Sequence, residues 1–101
     1  LITDYSSVLF DFAYMKKPII YTQFDKDKFY NDNFHDKGYF DDEIHGFGPI
    51  VYNYEDTVNK IIEYIKNDCK IDNKYLSRIN NFYNFFDKNN CKRVYDEISK
   101  I

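Results

Sequence analysis

The chain opens on an apolar run, crosses a short polar turn and becomes apolar again. Leu1–Ile2 precede the small polar residues of Thr3–Ser7, and a second apolar stretch starts at Val8. This pattern predicts the end of a buried strand, a tight turn and then a helix. Two cations at Lys16–Lys17 suit the carboxyl end of that helix, and Pro18 stops it.

Two further apolar runs, Pro18–Gln23 and Gly48–Tyr52, predict strands. Because short links join the first strand, the helix and the second strand, both strands are expected to lie parallel in a buried sheet. In residues 24–49 the apolar positions follow neither the helical repeat nor the alternation of a strand for long. This predicts a long loop that is functional or partly helical. Its aromatic pairs, Phe29–Tyr30 and Tyr39–Phe40, either pack on the sheet edge or stack on a base.

The second half of the chain predicts three amphipathic helices, the first of which ends at Asn67–Asp68. Their expected caps are Asn53 or Asp56, Asp72 or Asn73, and Asn89 or Asn90. The expected core positions are Val58, Ile61, Ile62 and Ile65 in the first helix, Leu76, Ile79, Tyr83 and Phe86 (with Tyr75, Phe82 and Phe85 beside them) in the second, and Val94, Tyr95 and Ile98 in the third.

Length and composition indicate one small domain or part of a larger one. The chain has 101 residues, of which 44% are hydrophobic and 21% aromatic, so some rings are expected to cover a partner surface. Its first residue, Leu1, already lies in an apolar run without a preceding Met. We therefore expect a fragment of a longer protein, most simply its C-terminal end.

Charge and cysteine usage exclude several classes of protein. A net charge of −3, from 14 basic and 17 acidic residues, argues against a nucleic-acid-binding module. Cys69 and Cys91 lie far apart without a CxxC spacing, which argues against a disulfide or zinc site and fits a reducing cytosol. The sequence contains neither a run of about 18 apolar residues nor a signal-peptide pattern.

The turn at Thr3–Ser7 is the main candidate for a binding site. The first turn of a helix carries backbone N–H groups without helical partners, and these groups attract anions. Either Ser6 or Ser7 can cap the helix, which leaves the other hydroxyl for a ligand. The alternative is that both serines only cap the helix. In parallel sheets, ligands collect at the carboxyl ends of strands, here the Thr3–Ser7 and Gln23–Lys28 turns.

Two other groups of residues have both a functional and an ordinary interpretation. His35 and His45 could form a metal pair or supply a general base, whereas histidines in loops are usually solvated. Asp41–Glu43 could bind a divalent cation through carboxylate oxygens, whereas an acidic solvated loop is the commoner case.

Five segments together resemble the C-terminal end of the CDP-glycerol glycerophosphotransferase family of teichoic-acid polymerases and primases. They keep the order and approximate spacing of that family, and the resemblance covers residues 1 to about 66. The segments are Thr3–Phe12, Lys17–Tyr21, Phe24–Asp25 with Phe29–Tyr30, Lys37–Phe40 and Gly48–Val51. Where the family usually has Arg before the glycine, this chain has Lys37, which can bind a phosphate as a point charge but not bidentately.

The resemblance implies an α/β fold, in which this chain is the second half of the Rossmann-like, nucleotide-binding C-terminal domain of a GT-B enzyme. In that family an acceptor hydroxyl attacks the β-phosphate of CDP-glycerol, and CMP leaves. The reaction extends poly(glycerol phosphate) on a lipid-linked acceptor, so the full-length protein is expected to be cytoplasmic and peripheral to the cytoplasmic face of the bacterial membrane. The fragment alone is expected to be inactive, and its open sheet edge leads us to expect that it can self-associate.

The resemblance also implies roles for individual residues. Ser6 and Ser7 would bind the donor pyrophosphate, with Thr3 and Asp4 in the same turn, and Asp4 would fix the turn because its carboxylate repels a diphosphate. A donor-side loop would contain Asp25, Lys37 and Gly38. No catalytic residue, metal or cofactor is assigned to this chain, since the family's catalytic bases lie upstream. The alternatives are a CDP-ribitol or capsule-polysaccharide transferase, and a non-catalytic α/β interaction module.

Overall fold

The computed structural model describes residues 1–32 and 38–101, which form three short strands and six helices. None of the helices in this described part is long and apolar enough to cross a membrane. In chain order the elements are β1 (Ile2–Thr3), α1 (Val8–Tyr14), β2 (Ile20–Thr22), α2 (Lys26–Asp32), α3 (Asp42–His45), β3 (Ile50–Val51), α4 (Tyr54–Lys66), α5 (Asn73–Phe82) and α6 (Asn90–Ser99).

The strands form a parallel sheet in the order β1-β2-β3, so the parallel arrangement predicted for the first two strands is confirmed. Tyr21, in the central strand, pairs with Thr3 on one side and Ile50 on the other. The expected burial of the first strand is wrong for Ile2, whose side chain is 50% exposed. Thr3 beside it is half-buried, so the two faces of this strand are covered unequally. The result is an α/β fold with a Rossmann-like sheet.

Helix α1 ends at Tyr14, earlier than the predicted end at Lys16–Lys17, so the two cations lie beyond its last turn. Lys16 adopts a left-handed conformation with φ of 56°. The N–H groups of Lys16 and Lys17 then donate to the carbonyl oxygens of Ala13 and Phe12 at 2.8 and 3.1 Å. These bonds satisfy carbonyl groups that the helix end would otherwise leave open.

The core joins the sheet to α1, to the segment after α3 and to α5. Its buried residues are Leu9, Ala13, Ile19, Tyr21, Phe47 and Ile79. Phe47 contacts the rings of Phe10, Phe40 and Phe82 at centroid distances of 6.0, 5.2 and 5.4 Å. The Phe40 ring of the central loop therefore packs into the aromatic core, as the packing alternative for that loop predicts.

Helix α4 begins and ends where the sequence predicts but buries less of its apolar stripe. The Asn53 side chain accepts the Asp56 N–H at 2.8 Å, so Asn53 is the cap. Val58 is half-buried, whereas Ile62 and Ile65 are 44% and 64% exposed, so their expected core positions are wrong. The helix contacts the sheet with one edge of its stripe, and the other edge faces outwards.

The prediction for α5 is correct at its start and wrong at its end. The helix begins after Asp72 and buries Ile79, but it stops at Phe82. Tyr83 turns to an extended conformation, and its hydroxyl donates to the carbonyl oxygen of Phe10 at 2.6 Å. Tyr83 and Phe86 therefore contact α1 from beyond the helix instead of continuing the face of α5.

Helix α6 begins at Asn90 as predicted, but the expected burial of its apolar face is wrong. Val94, Tyr95 and Ile98 are 59%, 70% and 63% exposed. Arg93 instead pairs with Asp87, and its guanidinium lies 3.7 Å from the centroid of the Phe85 ring. The Arg93 side of α6 thus faces the preceding segment, which leaves the Val94 side uncovered.

Candidate functional site

The turn between β1 and α1 is held by its own side chains. Asp4 Oδ1 accepts the N–H of Tyr5 at 2.7 Å, and Ser6 Oγ accepts the N–H of Val8 at 3.3 Å. Ser7 occupies the N-cap position, but its side chain makes no capping hydrogen bond, and the residue is exposed. The Ser6 hydroxyl therefore stabilises the helix start, and the Ser7 hydroxyl is accessible to a ligand.

A cleft of about 610 Å³ lies against this turn, at the carboxyl end of β1. It brings together Asp4, Ser6, Ser7 and Asp25, four of the residues that the sequence singled out. The rest of the lining described here is Tyr5, Leu9, Phe10, Phe29, Phe40 and Asp42. The Tyr5 and Phe29 rings are stacked with centroids 3.7 Å apart, so an aromatic wall joins the turn to α2.

The cleft also contains Asp42, which the sequence offered only as part of an acidic loop. Gln23 is 1% exposed, and its Nε2 donates to Asp42 Oδ2 at 2.6 Å. Burial raises the pKa of the Asp42 carboxyl, and the hydrogen bond from Gln23 partly opposes that rise. The one local signal for Gln23 was a polar residue directly after the apolar strand β2; nothing local connects it to Asp42.

The carboxylates beside the cleft are already engaged by protein groups. Asp41 Oδ1 accepts the Glu43 N–H at 2.9 Å and so caps α3, while Glu43 forms an ion pair with Lys26 at 2.8 Å. The hydrogen bond to Glu43 raises the pKa of Lys26. Across residues 1–32 and 38–101, no group of three His, Cys, Asp or Glu residues is arranged to hold a metal ion. The metal interpretation of Asp41–Glu43 therefore has no support from these side chains.

The lining of the cleft separates two kinds of chemistry. The carboxylates of Asp4, Asp25 and Asp42 repel an anion, whereas the Ser6 and Ser7 hydroxyls and the first turn of α1 offer hydrogen-bond donors. A phosphate group is therefore favoured beside the serine hydroxyls. Carboxylates accept hydrogen bonds from hydroxyl groups, so Asp25 and Asp42 suit a polyol.

The other predicted site residues lie elsewhere. Thr3 belongs to β1 and not to the turn, and its carbonyl oxygen accepts the Thr22 hydroxyl at 3.3 Å. Gly38 is exposed, with open space where a side chain would project. Lys37 and His35 lie outside the described residues. His45 Nδ1 accepts the Asp41 N–H at 3.0 Å, so this histidine is tied to α3.

Comparisons with known proteins agree on one family. The sequence profile described as CDP-Glycerol:Poly(glycerophosphate) glycerophosphotransferase matches residues 1–100. The minor teichoic acid biosynthesis protein GgaB of Bacillus subtilis (strain 168) is 43% identical over 102 aligned positions, which cover 100% of this chain and 11% of that protein. No solved structure matches the chain.

Two further relatives carry related names. The teichoic acid glycerol-phosphate transferase of Staphylococcus aureus (strain NCTC 8325 / PS 47) is 37% identical over 85% of this chain and 21% of its own length. The teichoic acid poly(glycerol phosphate) polymerase of Bacillus spizizenii (strain ATCC 23059 / NRRL B-14472 / W23) is 38% identical over 97% of this chain and 24% of its own length. The chain thus spans a quarter or less of these relatives, and it belongs to the CDP-glycerol:poly(glycerophosphate) glycerophosphotransferase family.

Proposed function

We propose that this chain is the donor-binding part of a CDP-glycerol-dependent glycerophosphotransferase that primes or extends a teichoic-acid-like poly(polyol phosphate). An acceptor hydroxyl attacks the β-phosphorus of the donor, the bond between that phosphorus and the bridging oxygen breaks, and CMP leaves with the bridging oxygen. Segments outside this chain supply the base that takes the hydroxyl proton and the contacts to a lipid-linked acceptor. The chain by itself is therefore inactive.

The cleft beside Ser6 and Ser7 is the observation that carries this proposal. Family membership supports a donor with a diphosphate and a polyol, and the cleft offers separate chemistry for each part. The Ser7 hydroxyl and the backbone N–H groups of the α1 start bind the diphosphate, since such donors stabilise charge on a leaving phosphate. Asp4 holds the turn through its bond to the Tyr5 N–H.

The carboxylate end of the cleft binds the glycerol unit. Asp42, oriented by Gln23, and Asp25 accept hydrogen bonds from the free hydroxyls of the polyol. Asp25 is the member of the expected donor-side loop that lines this cleft. In this arrangement the donor lies along the cleft, with its phosphates near α1 and its hydroxyls near α3.

The sheet supports the architecture proposed for the whole enzyme. A Rossmann-like parallel sheet with the cleft at its carboxyl edge fits half of the nucleotide-binding domain of a GT-B fold. We further propose that the full-length enzyme is cytoplasmic and peripheral to the membrane that carries its lipid-linked acceptor.

A titration with CDP-glycerol, followed by backbone amide shifts in a folded sample of the chain, tests the proposal. The residues Asp4–Val8 are expected to shift first, and Asp42 is expected to shift with CDP-glycerol but not with CMP, because CMP lacks the polyol. Shifts confined to other regions would contradict the proposal. A parallel titration with CDP-ribitol compares the glycerol donor with the longer polyol. If only CDP-ribitol shifts the signals of Asp4–Val8, the donor is CDP-ribitol and not CDP-glycerol, and the cleft is still the donor-binding site.

A further inference from the structure

A second cavity, separate from the cleft, lies between α3 and α5. It has a volume of about 470 Å³, which is within the usual range for small-molecule sites. The lining described here is Tyr39, Ile44, His45, Arg78, Asn81 and Phe82. In contrast to the cleft, these lining residues include a cation and no carboxylate. We propose that this cavity is a binding site for the phosphate group of a phosphate ester.

Arg78 supplies the charge, and the fold holds its guanidinium in place. Its Nη1 donates to the carbonyl oxygen of Gly46 at 3.0 Å, and its Cζ lies 5.5 Å from the centroid of the Tyr75 ring. An arginine carries five N–H donors in a fixed plane. Within the part of the chain that the structure describes, the bond to Gly46 is the only hydrogen bond that Arg78 makes. Donors therefore remain for a phosphate, which a guanidinium binds with two parallel bonds.

His45 adds a neutral donor whose tautomer is set by the backbone. Because Nδ1 accepts the N–H of Asp41 at 3.0 Å, the proton of the neutral ring lies on Nε2. The ring also stacks with Tyr39 at a centroid distance of 5.2 Å. The side-chain amide of Asn81 completes the polar lining with a further N–H donor.

Two carboxylates at the start of α3 are engaged by other groups. Asp41 Oδ1 accepts the N–H of Glu43, and Glu43 pairs with Lys26 on the side of α2. The apolar lining from Ile44 and Phe82 fits the carbon skeleton that joins a phosphate to a polyol. Both a nucleotide-linked donor and a polymer of polyol phosphates carry such esters, so the chemistry of the site is shared between these two sources.

Arginine side-chain NMR on the folded chain gives a direct readout, because the chain has two arginines, Arg78 and Arg93. Glycerol 3-phosphate is the probe. The Nε–H signal of Arg78 is expected to shift on titration, whereas that of Arg93, which pairs with Asp87, is expected to stay. No shift at Arg78, or equal shifts of both arginines, would overturn the proposal.

Substitutions at two neighbouring positions of α5 supply the matched control. Asn81→Asp places a negative charge at the cavity without a change of shape, whereas Asn80→Asp adds the same charge on the same helix outside the lining. Asn81→Asp is expected to weaken binding about fivefold relative to Asn80→Asp, by Coulomb repulsion between the added carboxylate and the phosphate. Equal affinities of the two variants would show non-specific attraction and overturn the site.

Two further arms separate this site from the cleft and identify the source of the ester. In a chain with Ser6→Ala and Ser7→Ala the response of Arg78 to glycerol 3-phosphate is expected to persist. Its loss would show that the cavity is not an independent site. Glycerophosphoglycerol and CDP-glycerol are then compared in the unmodified chain. Tighter binding of the first supports a polymer subsite, tighter binding of the second supports a donor subsite, and the absence of any Arg78 shift with both overturns the proposal.

Discussion

Gln23 and Asp42 are 19 residues apart in the sequence, and their side chains form a hydrogen bond of 2.6 Å beneath the cleft. Gln23 directly follows the central strand and is almost fully buried, so it fixes the position of the carboxyl group that begins α3. Within the described residues, the second polar atom of this amide, Oε1, has no partner. The pair connects the sheet to the cleft, and it places the Asp42 carboxyl where burial raises its pKa.

The first prediction concerns pH. The pKa of Asp42 is raised in the folded chain, so the folded state holds this proton more tightly than the unfolded state. Its stabilising contribution is fully present below the ordinary carboxyl pKa of about 3.9 and is lost as the pH rises through the raised value. Asp42→Asn keeps an acceptor for Gln23 but does not titrate.

Urea unfolding of the wild type and Asp42→Asn between roughly pH 3.5 and 7, the window around an ordinary carboxyl pKa, measures this effect. The free energy of unfolding of the wild type, relative to that of the variant, is expected to fall as the pH rises. A difference that stays constant or grows in favour of the wild type would contradict the pKa direction.

The second prediction concerns the close approach of the chain before β3 to the chain before β2. A Cβ atom on Gly48 would lie 1.8 Å from the carbonyl oxygen of Ile19, and that backbone is part of the buried core. Gly48→Ala is therefore expected to lower the free energy of unfolding by about 3 kcal/mol. A Cβ on Gly38 meets nothing within 4 Å, so Gly38→Ala is the matched control.

Chemical denaturation of both glycine variants checks this contact. Gly38→Ala is expected to remain within about 0.5 kcal/mol of the wild type. Similar unfolding midpoints for the two variants would mean that the two segments do not approach each other as described.

The third prediction compares two helix caps. Asn53 accepts the Asp56 N–H at the start of α4, whereas Asn89 has the same position before α6 without a side-chain capping bond. Asn53→Ala is expected to cost about 1 kcal/mol of stability, and Asn89→Ala clearly less. Thermal unfolding monitored by circular dichroism gives the comparison, and an equal loss in both variants would contradict the assigned capping roles.

Local signals account for the parts of the fold that the sequence predicted. Asn53 and Asp72 mark helix starts, because caps act on residues next to them in the chain. The parallel pairing of β1 and β2 also follows from a short strand-helix-strand order. These features need no knowledge of distant contacts.

Distant contacts explain what the sequence did not predict. Helix α5 stops at Phe82 because Tyr83 bonds to Phe10, which is 73 residues away. The apolar stripe of α6 predicts burial, but the side that faces the protein is the one on which Arg93 contacts Asp87 and the Phe85 ring. The candidate cleft likewise combines local and distant features. The turn residues were predicted from local signals, whereas the Gln23–Asp42 contact was not predicted.

The central claim is that the Ser6–Ser7 turn binds the diphosphate of a CDP-polyol donor. Calorimetric titration with CDP-glycerol tests this claim in a folded chain that carries Ser6→Ala and Ser7→Ala. The control variant carries Ser77→Ala and Ser99→Ala, which change two serines outside the cleft lining. A hydrogen bond to a charged group contributes about 1.5–3 kcal/mol, so the first variant is expected to bind at least about tenfold more weakly. The control is expected to bind like the wild type. Equal affinity of both double variants, with both folded, would contradict the claim.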